Sequence, residues 1–169
     1  MKRFFITLAY NGKNYCGWQI QPNAISIQQT LQEALSTLLR KKTDVVGAGR
    51  TDSGVHARSM IAHFDWGEEG FDPDDLCMKL NRFLPKDIAI HSIQEVLPDA
   101  HARFSAISRT YSYRVTREKD PFLHEFKHLI TFNPDLELMN HLCTILLETD
   151  DFTSFSKLHT DVKTHICDI

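Results

Sequence analysis

The chain has 169 residues, 42% of them hydrophobic and 10% aromatic, enough for a buried core and too apolar for a disordered, solvated chain. Lys and Arg number 19 against 22 Asp and Glu, and the formal charge of −3 means that any hold on nucleic acid requires a local basic surface. No apolar run approaches the roughly 20 residues of a membrane span. The first residues are too short and alternating for a secretion signal, and Cys16, Cys77, Cys143 and Cys167 form no CxxC pair, which fits thiols in a reducing cytosol.

Residues 3–10, RFFITLAY, are rich in strand formers and run into an Asn11-Gly12 turn. Ser26 with Gln29 makes a capping box, and Ile27, Leu31, Leu35, Leu38 and Leu39 then share one face, so the spacing predicts a helix over 27–41. Its basic end, Arg40-Lys41-Lys42, is expected to complement the carbonyl end of the helix dipole. Val45-Val46 begins a short strand and residues 60–66 form another. Asp72 as a cap, Pro73 in the first turn, and Asp74 and Asp75 near the positive end mark a helix that runs to about Phe83 and stops at Pro85. Residues 87–96 read as a strand. Strand, helix, two strands, helix, strand is the order of a ferredoxin-like (RRM-like) α+β unit, an antiparallel sheet with helices on one face.

A second set follows, with strands over 110–116 and 126–132. Asn133-Pro134-Asp135 then caps a helix carrying Leu136, Leu138, Leu142, Ile145 and Leu146. The chain divides into an N-terminal unit, residues 1–105, and the start of a second α+β unit, residues 106–169, which looks unfinished. Cations bunch at Arg40-Lys41-Lys42 and at Arg103, Arg109, Arg114, Arg117 and Lys119; acids gather at Glu68-Glu69, Asp72, Asp74-Asp75 and over 148–151. On charge alone, ordinary solvated faces account for this pattern better than a binding surface does.

Three segments carry candidate chemistry. In GAGRTDSGVHA, residues 47–57, the glycines let the backbone turn sharply and let a bulky ligand approach. Asp52 sits on this loop beside Arg50, whose charge favours the ionised carboxylate, and such a group suits a nucleophile or general base. Asp-Ser-Gly is equally a good turn sequence in its own right. In Arg109-Thr110-Tyr111-Ser112-Tyr113, a strand would project Arg109, Tyr111 and Tyr113 from one face, as a platform for an unpaired base and its phosphate or as a half-buried packing face. His124-Glu125-Phe126-Lys127-His128 matches the zinc-peptidase H-E-x-x-H, with Glu148 downstream. That motif needs a helix, whereas Pro121, Phe126, Ile130 and Phe132 suggest a strand, which would hold the two histidines about 13 Å apart. P-loop, G-x-G-x-x-G and G-x-S-x-G motifs are absent, as is the RRM aromatic signature.

Residues 47–56, GAGRTDSGVH, closely resemble the catalytic motif of the tRNA pseudouridine synthase A (TruA-type) family. The resemblance extends in order along nearly the whole chain. It takes in Tyr10-Asn11-Gly12, Tyr15, Gly17-Trp18-Gln19, Ser26-Ile27-Gln28, Asn81, Leu84-Pro85 and Asp87-Ile88-Ala89. It continues through residues 101–106, HARFSA, then Arg109, Tyr111-Ser112-Tyr113 and residues 151–155.

It implies the pseudouridine synthase fold, with its second half incomplete here, and a cytoplasmic isomerase that converts uridines of the tRNA anticodon stem-loop, at positions 38, 39 and 40, to pseudouridine. Asp52 aligns with the essential catalytic aspartate, Tyr111 with the tyrosine that stacks on the target uracil, and Arg50 with the arginine that helps flip and hold the substrate. His101, Arg103 and Phe104 fall in a segment that contacts tRNA. The resemblance further implies a homodimer gripping tRNA in a basic groove, with salt-sensitive binding, no metal, no organic cofactor and no membrane. The family continues past the position of Ile169 with further strands and a basic residue beside the aspartate, so this chain alone is expected to turn over weakly or not at all.

Overall fold

The computed structural model describes residues 1–67, 70–156 and 164–169; Glu68 and Glu69 of the acidic group lie outside them. The chain forms two compact units, Met1–Tyr111 and Ser112–Ile169.

In the first unit, β1 (Lys2–Tyr10), β2 (Val46–Gly47), β3 (Ala57–Trp66) and β4 (Ile88–Val96) make an antiparallel sheet in the order β2-β3-β1-β4. Side-chain alternation along β1 buries Phe4, Ile6, Leu8 and Tyr10, while Arg3, Phe5, Thr7 and Ala9 occupy the other face. Helices α1 (Ile27–Leu38) and α2 (Pro73–Phe83) supply Ile27, Leu31, Ala34, Leu35, Leu76 and Leu80 to the same core as Met60, Ala62, Phe64, Ile88 and Ile90. Burying each large apolar side chain here stabilises the unit by about 1.5–3 kcal/mol. Both helices start where the caps lie. The Ser26 hydroxyl accepts from Gln29 N at 3.2 Å, and Asp72 Oδ1 accepts from Asp74 N and Asp75 N at 2.8 and 3.0 Å.

Helix α1 ends three residues earlier than its apolar spacing predicts. Leu39 is the cap, Arg40 takes a left-handed φ of 54°, and Lys41 N and Arg40 N donate back to the carbonyls of Ser36 and Thr37 at 3.1 and 3.4 Å. The basic triplet therefore lies beyond the last turn. Lys41 Nζ sits 5.6 Å from the Trp66 ring centroid, where its charge meets an aromatic face.

The end of β1 and the start of β3 are neighbours, with Tyr10 opposite Ala57 after a register shift past Leu8. The loop leaving β1 and the loop entering β3 thus emerge together at one end of the sheet.

In the second unit, β5 (Val115–Thr116) pairs in parallel with β6 (His128–Leu129). Both are far shorter than the strands that residues 110–116 and 126–132 suggest. Pairing begins only where His128 N reaches the Arg114 carbonyl at 2.7 Å; Tyr and Thr favour a strand, but a strand exists only where a ladder is made. Helix α3 (Leu136–Leu147) starts at its expected cap, with Asp135 Oδ1 accepting from Leu138 N at 2.9 Å, and none of its residues is buried.

Candidate active site

Residues 51–56 are held by the loop that leaves β1. Trp18 N donates to the Thr51 carbonyl at 3.3 Å, and Ser53 Oγ and Gly54 N both donate to the Tyr15 carbonyl at 3.2 Å. Gly12 N donates to His56 Nδ1 at 3.2 Å, and Tyr10 Oη and Thr51 Oγ1 share a bond of 3.3 Å. The approach is closer than side chains permit. Gly17 adopts φ +91°, and a Cβ there would collide with the Thr51 carbonyl oxygen; one on Gly12 would collide with that of Val55. Tyr15 Oη in turn donates to Asp87 Oδ1 at 2.7 Å, fixing the clamp to the entry of β4, and burial together with that bond raises the Tyr15 pKa.

On this scaffold Asp52 is exposed, as is Arg50. Among the described residues neither the Asp52 carboxylate nor the Arg50 guanidinium has a hydrogen-bond or ion-pair partner. The two charges do not pair with each other, and both side chains are available to a ligand. Gly47 is required by packing, since a Cβ there would strike the Trp18 indole; a Cβ on Gly49 would lie 3.7 Å from Arg109 Nε, an ordinary contact.

Arg109 is bonded within the protein. Instead of lying free on a strand face to meet a phosphate, its Nη2 donates to the carbonyls of Ala48 at 2.9 Å and Arg103 at 2.8 Å. This clip ties the segment ending at Tyr111 to the Asp52 loop. Burial raises the pKa of the Tyr10 phenol, its bond to Thr51 opposes the rise, and the nearby Tyr111 phenol adds to it. Tyr10 in turn touches Thr51, the residue preceding Asp52. Tyr111 is 77% exposed, so its ring is open to stacking. Either reading of Arg109, Tyr111 and Tyr113 as one face needs a strand, and residues 110–114 form none.

The segment containing His101, Arg103 and Phe104 crosses the sheet face opposite the helices. Arg3 grips Asp65 through two nitrogens at 2.7 and 2.8 Å and donates to the Ala100 carbonyl at 3.0 Å. Buried His63, beside Phe5 on the same face, accepts from Ala102 N at 3.2 Å through Nδ1. The His101 ring meets His63 edge-on at 4.6 Å and lies 4.5 Å from Phe104, with the Arg103 guanidinium 5.5 Å over Phe104. His101 Nδ1 also accepts from Arg103 N at 3.1 Å and from Phe104 N at 3.4 Å. Phe104 is 75% exposed. Burial, Arg3 and His101 push the His63 pKa down to about 4, with Asp65 opposing.

In the H-E-x-x-H segment, His124 lies in a turn where Nδ1 is 2.9 Å from the Pro121 carbonyl oxygen, while His128 lies on β6. The helix that would bring the two rings to one metal is not formed.

The family model described as tRNA pseudouridine synthase matches residues 6–105. A protein of Parabacteroides distasonis named tRNA pseudouridine synthase A is 59% identical over 169 residues, all of this chain and 67% of that protein. A Bacteroides fragilis protein of the same name is 55% identical over the same 169 residues, again 67% of its length. In a more distant relative of that name, from a Geobacillus species, the identity is 39% over 98% of this chain and 67% of the relative. The chain spans about two thirds of the length of these curated relatives.

Proposed function

The chain belongs to the tRNA pseudouridine synthase family of isomerases, and we propose that it carries the catalytic loop and the base-stacking tyrosine of an enzyme that converts uridine to pseudouridine in the tRNA anticodon stem-loop, at positions 38, 39 and 40. The reaction is intramolecular. The N1–C1′ bond breaks, the base turns, C5 bonds to C1′, C5 gives up its proton and N1 gains one.

The observation that carries this reading is an exposed, unpartnered Asp52 carboxylate on a clamped loop, with Tyr111 tied to that loop through Arg109. A target base stacked in RNA must leave the stack, at a cost of a few kcal/mol. Tyr111 offsets that cost by stacking on the extruded uracil, and Arg50, free of partners among the described residues, holds the displaced nucleotide. Asp52, already held in place by backbone contacts to the Tyr15–Trp18 segment, then meets the sugar without having to be ordered during the reaction.

Met1–Tyr111 is read as the ferredoxin-like part of a pseudouridine synthase fold, on the sheet order β2-β3-β1-β4 with both helices in one core, and Ser112–Ile169 as part of a second such half. A cytoplasmic homodimer that takes tRNA between its subunits completes the proposal. Among the described residues no helix is long and apolar enough to cross a membrane.

The test is release of tritium from C5-labelled tRNA by the full-length protein. Asp52→Ala is expected to lower the rate by about 10²–10⁴-fold, the span of a positioned acid–base group, with tRNA binding retained. Binding by the unaltered protein without any release would make it an RNA-binding module instead.

A further inference from the structure

We propose that His63 is a positioning residue for RNA binding: by accepting from the Ala102 N–H it fixes the 101–105 turn so that the His101 and Phe104 rings form a platform for an unpaired base. The inference rests on the tRNA reading above and adds to it a buried residue that touches no RNA itself.

Three observations meet at this point. His63 is a buried polar side chain with 4% exposure, on a strand whose neighbours Ala62 and Phe64 are apolar core. Its Nδ1 accepts from Ala102 N, so the ring proton sits on Nε2 and Nδ1 offers a lone pair. Above it the rings stack outward in sequence, from His63 to His101 to Phe104, and the last is exposed beside a cation. An exposed aromatic ring flanked by an arginine suits a base with its phosphate, because every base has a π-face and the guanidinium matches the anion.

The groups facing His63 preserve the acceptor. Burial first, then Arg3 on β1 and His101 in the turn, disfavour a second proton on the imidazole, and Asp65 on β3, already engaged twice by Arg3, opposes them. The low imidazole pKa of about 4 keeps Nδ1 an acceptor through the neutral range. Arg3 secures the same segment at the Ala100 carbonyl, so the turn is pinned on both sides of His101.

Two variants test this. His63→Leu removes the acceptor; His63→Asn replaces Nδ1 with a side-chain oxygen at a similar reach. Amide hydrogen exchange and binding of an anticodon stem-loop RNA are measured for the 169-residue chain. His63→Leu is expected to speed exchange at Ala102 and Phe104 by about tenfold and to weaken RNA binding by about as much, the effect of leaving one buried N–H unpaired. The amides of Ile6 and Ala62 in the sheet should keep their protection, and His63→Asn should restore both readouts. If His63→Leu leaves turn exchange or RNA binding unchanged, or if His63→Asn fails to restore them, the proposal is overturned. If exchange responds as expected but the unaltered chain binds no stem-loop, the tRNA reading fails and the platform role falls with it, leaving a structural tether.

Discussion

The guanidinium of Arg109 is bonded to the backbone of Ala48, 2.9 Å from its carbonyl oxygen, and so joins two segments that are far apart in the sequence. The same nitrogen reaches the Arg103 carbonyl at 2.8 Å. One side chain thus sets the spacing between the Asp52 loop and the segment that ends in Tyr111. Arg109→Lys keeps the charge but ends one atom short of Nη2 and lacks the fixed planar orientation that aims its two N–H groups at both carbonyls. It is expected to lower tRNA pseudouridylation by roughly tenfold, mainly in kcat, since misplacing Tyr111 impairs the reacting geometry more than overall RNA binding. Steady-state kinetics on tRNA separates kcat from KM; an effect confined to KM would identify Arg109 as an RNA contact instead.

Two left-handed backbone positions should respond with opposite signs to substitution. Gly17, at φ +91° and pressed onto Thr51, tolerates no side chain, so Gly17→Ala is expected to destabilise the first unit by about 2–4 kcal/mol through strain and collision. Arg40, at φ 54° with its backbone already in the bonded helix-ending turn, pays a steric cost that glycine avoids. Arg40→Gly is therefore expected to stabilise by about 1 kcal/mol. Urea unfolding midpoints compare the two directly.

Stability should fall on the acid side. The folded-state pKa of His63 is depressed, so the unfolded chain binds more protons; the stabilisation is complete above the ordinary value of 6.5 and is lost as pH falls toward about 4. Its size is on the order of 2 kcal/mol. Asp65 has its pKa held down chiefly by its hydrogen bond to Arg3, and its contribution is lost at lower pH still, as it protonates in the folded state. Urea midpoints measured across this range should rise with pH. In His63→Asn the slope between 4 and 6.5 should flatten, since that variant has no imidazole to titrate.

Much of the first unit is legible locally. Ser26 and Asp72 announce the helix starts, and the alternation of Phe4, Ile6, Leu8 and Tyr10 announces a sheet with one face on a core. Asp52 stands out through its glycine-flanked motif, and the structure leaves it exposed. Residues 110–114 were misjudged because strand propensity is local whereas pairing is not. Arg109 and His63 escaped for a related reason. The partners of Arg109 include a carbonyl 61 positions away, and that of His63 is an amide 39 positions away. Neither partner has a side-chain signature that a motif scan would notice. The one cue for His63 was an imidazole on a strand between two core apolar residues.

The contact of Gly12 and Gly17 with the 51–56 turn has a consequence for how such a protein can change. Two stretches separated along the gene behave as interlocking halves of a single mould. Randomising either by itself should return the starting glycines, whereas libraries that vary both together have new solutions open to them. Transplanting the aspartate turn into a foreign scaffold would fail unless its counterpart travelled with it.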